Sequence, residues 1–454
     1  TGITNTAFGS SALIANTTAD QNTAIGCFAM QANTTGSDNT AVGHQALKST
    51  TTGSDNTAVG RAALNDNTTG ARNTAVGDQA LSNNTTASDN VAIGKDALAV
   101  NTTGDESIAI GSYAADANTT GSDNVAIGVY TFSANTTGSD NTAVGRGALG
   151  NNSTASNNTA VGKVALEANT TGSENTSVGT AALEANTTGG ANTGLGFRAL
   201  HLNTTGGTNT AVGYEALHLL TAGDDNTVVG NDAGGDITTG DDNTCIGSLA
   251  GRYWTVGDGN TAVGYGAGAA YYSGVGTNGE WNTCIGDAAG NRLEDGDNNL
   301  LLGYQAGTGS SPNGNVRGDS NQVCLGNSSI ANAHIQVDWT VASDKRDKTD
   351  ITPFNHGLSW INKLEPVTYR WDNRDFYEDG VPDGSKKRSK LNVGLLAQDE
   401  LEVEKEHGYG DTPDNMLVTD LSPDGNKYGM QYSKLVPILI NAVKELSAEI
   451  EQLK

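Results

Sequence analysis

Along the first 330 residues the apolar positions follow neither a helical rhythm nor simple alternation. They return in a fixed phrase. N-T-A-V-G or a close variant ends on Gly9, Gly26, Gly43, Gly60, Gly77 and Gly94, and the spacing of seventeen runs unbroken to Gly264. Beyond it the matching glycines are Gly286, Gly303 and Gly326, so two late units carry insertions of five and six residues. The unit reads N-T-A-V-G-x-x-A-L-x-x-N-T-T-G-S-D. It offers one short strand, such as Thr40-Ala41-Val42, and a second apolar pair, such as Ala46-Leu47. Glycine and the small polar residues between them favour turns and left-handed backbone. No apolar run is long enough for a helical face, so the period predicts a β-solenoid with coils about 4.8 Å apart. Nineteen such coils would give a rod on the order of 90 Å.

Successive strand residues point to opposite faces. Ala41 and Val42 are adjacent and both apolar, as are their counterparts in nearly every unit. One face is covered by the chain's own coil, and the other needs a second cover. A sibling chain is the simplest, which predicts a homo-oligomer, most simply a parallel trimer.

After Gly326 the pattern changes. Asn327 to Ala342 is a run-out, with a last alternating stretch over His334–Trp339. From Ser343 onward Lys, Arg, Glu, Trp and Tyr appear at globular frequencies, and about 110 residues are enough for a small domain. The boundaries expected are a shaft over 1–330, a linker over 331–342 and a domain over 343–454. In that domain Pro353–Leu364 predicts a short helix, Val367–Trp371 a strand and Val393–Ala397 a buried strand. Asp379–Lys390 predicts a loop whose basic run is solvated. Val436, Leu439, Val443, Leu446, Ile450 and Leu453 alternate spacings of three and four, with Lys444, Glu445, Glu449 and Glu451 outside that stripe. This is the a/d seam of a coiled coil, a second argument for oligomerisation. The fold class expected is mostly β: a trimeric β-solenoid followed by a small α+β domain ending in a coiled-coil helix.

Composition sharpens this. Sixty glycines with 5% aromatic residues would not build one large globular core, which favours the repeat. A net charge of −26 argues against nucleic acid and anionic membrane as partners. No apolar run reaches the roughly 18 residues of a membrane span. The chain opens at Thr1 without methionine or signal peptide, so a natural N-terminus that is missing or processed is expected. Cys27, Cys245, Cys284 and Cys324 have no metal-ligand spacing, and three of them fill an alanine slot two residues before a repeat glycine. Small buried apolar side chains are expected there, with no metal and no cofactor. N-T-T matches the glycosylation acceptor pattern, although a turn of small polar residues that also hydrogen-bond along the stack is the better explanation. The recurring Asp38, Asp55, Asp123 and Asp140 are either turn formers or a carboxylate ladder for cations.

The N-T-A-V-G units resemble the head repeats of trimeric autotransporter adhesins and the shafts of some phage tail fibres, which implies a trimeric β-roll or β-helix. The seventeen-residue length departs from the shorter adhesin repeat. From Ser343 the blocks S-D-K-R-D-K-T-D-I, L-E-P-V-T-Y-R-W, V-G-L-L-A-Q-D and Y-G-M-Q-Y-S-K-L-V-P-I-L-I-N-A-V-K-E-L resemble, in order, the intramolecular chaperone domain of phage endosialidases and tail spikes. The resemblance implies a domain that trimerises, templates the fibre upstream and cuts itself off by a Ser–Lys dyad. Carried onto this chain, Ser343 is the nucleophile, Lys348 the base and Ala342–Ser343 the scissile bond. Such a hydroxyl needs a base, and lysine serves only when neutral. Arg346 is a candidate for lowering the lysine's pKa or holding the oxyanion, and Asp344 is a second supporting candidate. Asp347, where the family usually has an apolar residue, opposes the neutral amine.

The expected activity is therefore one self-cleaving turnover, with no external substrate. The resemblance implies the virion as the location, with other virion or tail proteins joined through the missing N-terminus; the cell surface is the alternative, in which an adhesin shaft binds host glycans and keeps its chaperone. A glycan-degrading spike would need paired carboxylates and aromatic platforms. Only Arg252–Trp281, with Tyr253, Trp254, Tyr265, Tyr271, Tyr272 and Trp281, clusters aromatics. Trp254 and Trp281 are the candidate glycan contacts.

Overall fold

The structure, a computed structural model, describes residues 2–270, 278–311, 314–336, 340–422 and 425–454. It divides into two compact units, Thr1–Thr283 and Cys284–Lys454. The fold is mostly β: among the described residues, nineteen three-residue strands run from β1 (Thr6–Phe8) through β16 (Thr261–Val263) and β17 (Thr283–Ile285) to β19 (Val323–Leu325). They are parallel, and each pairs residue for residue with the one a unit away, as in Thr57↔Thr74, Ala58↔Ala75 and Val59↔Val76.

One coil explains the rest. Thr57–Val59 forms the strand, with Ala58 fully buried and Val59 facing out. Gly60 then turns the chain at φ +143. A Cβ placed there would lie 2.2 Å from the carbonyl oxygen of Gly77, and the same clash recurs up the stack. Only glycine allows so close an approach. Ala62, Leu64 and Arg72 also adopt left-handed backbone, at φ 57, 50 and 57. Such conformations cost roughly 1–2 kcal/mol per residue, offset by hydrogen bonds to the neighbouring coils such as Leu64 N to Ala80 O at 3.0 Å and Gly60 N to Val42 O at 2.9 Å.

The interior is not wholly apolar. Ala63 and Leu64 are buried, but so are Asn67 and Asn73. Asn67 donates from Nδ2 to Gly70 O at 2.9 Å, and the Asn73 backbone N–H donates to Asn56 Oδ1 at 3.0 Å. These amides thus serve as internal ladders, each satisfied by its own or the next coil. The N-T-T asparagines from Asn33 to Asn203 are buried in this way, whereas Asn16 is half-buried. Asp38, Asp55, Asp123 and Asp140 sit at left-handed turn positions, φ 56 to 60, and no group of three His, Cys, Asp or Glu among the described residues is placed to hold a metal. The four cysteines are thiols, with Cys245, Cys284 and Cys324 buried in the alanine column. Burial raises the Cys284 thiol to about 12.

The outward strand positions form a stripe. Ile25, Val59, Val76, Ile93, Ile110 and Ile127 are each 36–39% exposed, so the coil covers one face of its strands and leaves the other open, as the adjacent apolar pair implies.

The second unit holds the last strands, with β18 (Leu300–Leu302) paired to β19, and the C-terminal domain. Its helix α1 is only Leu358–Ile361, shorter than the Pro353–Leu364 expected. Gly357 precedes it in a non-helical conformation, with its Cα against α3 (Leu435–Gln452) so closely that a Cβ would meet Ala442 N at 2.6 Å. Strand β20 (Val367–Tyr369) pairs antiparallel with β21 (Asn392–Gly394). The strand expected over Val393–Ala397 was expected to be buried, but Val393 is exposed and Ala397 instead opens α2 (Ala397–Glu406). Strands β22 (Thr419–Leu421) and β23 (Tyr428–Met430) form a hairpin. Trp360, Val403, Val418, Leu435 and Ile438 make the core. His334–Gln336 form no strand, while Val337, Asp338 and Trp339 lie outside the described residues.

Helix α3 has two apolar faces. Leu435, Ile438 and Ala442 pack inward, whereas Val436, Leu439, Val443, Leu446, Ile450 and Leu453 are 46–87% exposed.

Gly77→Ala should lower the unfolding midpoint by an amount equivalent to about 3 kcal/mol or more, because its Cβ would meet Gly94 O at 2.3 Å. Gln79→Gly, two residues on at φ 59, should change stability by less than about 1 kcal/mol. Thermal melts of the two variants beside the parent check the contrast, and equal losses would contradict it.

Candidate functional site

Ser343 and Lys348 flank a single 3-10 turn, Lys345–Asp347. Asp344 caps that turn by accepting from Arg346 N at 2.9 Å. The turn returns the chain so that Lys348, extended at φ −120 and ψ 136, donates from Nζ to Ser343 Oγ at 2.6 Å. A five-residue separation in sequence becomes a hydrogen bond, the contact that nucleophile–base chemistry requires.

The surroundings are less complete. Every residue from Val341 to Asp350 is exposed, Ala342 included. Arg346 is turned toward Asp344, with Nη2 to Oδ2 at 2.6 Å. That guanidinium holds the Asp344 carboxyl below the usual carboxylate range. So Arg346 and Asp344 serve each other here, and the turn, rather than either residue's charge, places Lys348 against Ser343.

Of the two candidate sugar contacts, Trp281 is 62% exposed beside Gly259. Trp254 is only 3% exposed and so offers no platform, which corrects that expectation. The reason lies in the column register. Gly251 and Gly268 replace the inward leucine four residues after the repeat glycine, and a Cβ on Gly268 would be 2.5 Å from the Trp254 ring. Trp254 takes the column usually held by buried asparagine and fills the vacated space. Ile237 with Gly234 and Leu293 with Gly290 repeat the exchange, and both large side chains are buried. Tyr271 and Tyr272 lie outside the described residues.

Helix α2, absent from the expected elements, brings two buried carboxylates to the domain core. Glu404 accepts from the backbone N–H groups of Leu417, Val418 and Thr419 at 2.8, 2.8 and 2.6 Å. It thereby pins the approach to β22. Glu400, 1% exposed, accepts from Trp360 Nε1 at 2.8 Å through Oε1, while Oε2 meets no donor among the described residues. Burial, and secondarily the charge on Glu404, pushes the Glu400 carboxyl up to about 7. A glutamate in an E-L-E-V-E run on a helix reads from sequence as solvated, and only the fold reveals its burial.

Compared with known families, residues 343–409 match the model described as chaperone of endosialidase. The motif blocks from Tyr428 onward lie beyond the matched segment. No curated protein matches the chain. The matched C-terminal segment and the β-solenoid upstream together fit a tail fibre or tail spike with an endosialidase-type chaperone domain. No helix among the described residues is long and apolar enough to cross a membrane.

The Glu400 carboxyl binds its proton more tightly in the folded domain than in the unfolded chain. Its stabilising contribution is complete below about 4.5 and is lost as pH rises through about 7. Glu400→Gln should remove that slope and raise the domain's stability at pH 8 by about 2–3 kcal/mol. Denaturant melts at pH 5 and pH 8 measure it, and an unchanged slope would count against the buried carboxyl as its source.

Proposed function

We propose that this chain is a fibre or spike protein of a virion whose C-terminal domain, residues 343–454, trimerises, templates the 1–330 shaft and then cuts itself away. The cut falls between Ala342 and Ser343 in the 331–342 linker. The Ser343 hydroxyl gives its proton to the Lys348 amine and attacks the Ala342 carbonyl, forming an ester. The Ser343 backbone nitrogen leaves with that proton, and water then hydrolyses the ester. The single observation that carries this reading is the 2.6 Å contact between Lys348 Nζ and Ser343 Oγ at the first residue of the matched segment.

Trimerisation is supported by two apolar surfaces without cover in one chain, the outward strand stripe and the outer face of α3. It also supplies what the dyad lacks. General-base action needs a neutral amine, and desolvation favours the neutral form. The dyad is open to solvent in one chain, so packing against sibling chains is the step that switches it on. Cleavage then follows assembly.

Denaturing electrophoresis of freshly expressed protein should reveal two fragments meeting at 342/343. Ser343→Ala and Lys348→Met should leave one uncut chain, still trimeric by sedimentation. Val443→Glu with Leu446→Glu should abolish both the trimer and the cut. Cleavage persisting in Ser343→Ala would end the proposal, and a stable folded monomer of the parent would remove its assembly step.

A second reading, a host-glycan contact on the shaft, is favoured by the exposure of Trp281 beside the first insertion. On a glycan array Trp281→Ala should lose at least about tenfold in binding, whereas Trp254→Ala should act on stability alone. Equal binding by parent and Trp281→Ala would exclude this patch.

A further inference from the structure

Two features read from the sequence have no part in the dyad: the six-residue insertion in the last repeat unit and the basic run near residue 388. They meet. Lys427, in the turn between β22 and β23, donates from Nζ to Ser311 O at 2.6 Å, Gly309 O at 3.1 Å and Asp375 Oδ2 at 2.7 Å. Its side chain is 16% exposed and that of Asp375 18%. An ammonium so far out of water needs every donor satisfied and a nearby opposite charge. Here it has both. Two of its three partners are peptide carbonyls at and within the inserted stretch, which an ordinary unit does not possess.

The inserted stretch is itself fixed. Ser311 is fully buried, and its Oγ accepts from Gly307 N at 2.7 Å and donates to Gly326 O at 3.2 Å. Lys427 therefore meets carbonyls already held in place by the last coil. A second cation adds to it: Arg388 donates to Ser328 O at 2.8 Å and to Ile330 O at 3.3 Å. Lys390 reaches Asn332 Oδ1 at 3.2 Å. The basic run, expected to be solvated, is thus partly committed to backbone acceptors. Every acceptor outside the domain lies before residue 342, and every cation lies after it.

We infer that the last repeat unit, gripped by Lys427, and the run-out after it, gripped by Arg388, form a docking platform for the C-terminal domain, so that cutting at Ala342–Ser343 leaves the two pieces bound to each other. The consequence for cleavage rests on the proposed function, whereas the grip exists in the uncut chain. Release then needs a further event that breaks charged hydrogen bonds to fixed carbonyls, and peptide hydrolysis alone does not supply it.

The test avoids self-cleavage. A recognition sequence for a site-specific protease is inserted after Ala342 in a Ser343→Ala chain, which is digested fully and passed over gel filtration. The fragments should co-elute. With Lys427→Met and Arg388→Met they should part, dissociating about tenfold or more faster, while the uncut double variant elutes like its uncut parent. If the double variant does not fold, Asp375→Asn, which removes the carboxylate from Lys427, should show the same direction. Separation of the fragments in the parental background overturns the inference. So does undiminished co-elution in the folded variants. Failure of the natural chain to cut itself would sink the proposed function and leave this result standing.

Discussion

The stack of coils hinges on one close approach, that of the glycine ending each strand to the carbonyl of the glycine seventeen residues on. No Cβ fits there: at Gly43 it would stand 2.3 Å from Gly60 O. Once this contact is fixed, the hydrogen bonds between coils fix the period, and every other position becomes a column that must tolerate copies of itself. Alanine and leucine stack on themselves without difficulty. Asparagine does so because its amide both donates and accepts. Like charges do not, and ionised side chains accordingly stay outside, where Arg61 meets Asp78 at 2.8 Å and Arg72 meets Asp89 at 2.7 Å one coil away.

That constraint also produces the open stripe. A coil of seventeen residues with a single three-residue strand encloses one face of that strand and cannot wrap the other. The outward valines and isoleucines are a consequence of how little chain each coil contains. In helix α3 the reason differs: its inner face is spent on Trp360 and its neighbours, so the a/d seam is surplus to the domain's own core. Two unrelated elements thus leave apolar surface uncovered. A single chain would be unusual in presenting both to water.

What was legible in the sequence follows from repetition. A strand of three residues carries almost no signal alone, yet nineteen in phase identify both the element and its inward residue. Hydrogen bonding of the N-T-T turns along the stack was legible, but the burial of their asparagines was not, because N-T-T-G has the residue types of a solvated turn. Only a closed coil brings Asn67 Nδ2 to Gly70 O. Trp254 misled for a related reason, since an aromatic in an aromatic-poor chain draws attention as a surface feature. The signal that could have corrected it is the loss of the column leucine at Gly251 and Gly268, which marks a volume that a large side chain must fill. In the C-terminal domain, which has no repeats, the dyad's sequence spacing survived into geometry, but helix limits did not. Gly357 shortened α1, and the acidic run Glu400–Glu406 hid a helix whose buried face includes two carboxylates.

The exposure of the dyad is best understood as part of its chemistry. A serine hydroxyl in contact with an amine but open to water is a poor nucleophile. A dyad buried within the single chain would be competent as soon as the domain folded, before any shaft had been templated. Under the proposed function, an open turn at the end of a linker would leave burial to neighbouring chains and tie bond breaking to assembly. The grip of Lys427 on the last repeat and of Arg388 on the run-out after it complements this arrangement. Under the same proposal it would hold the domain in place while the backbone between them is cut, so that the covalent link and the mechanical link would be severed by different means.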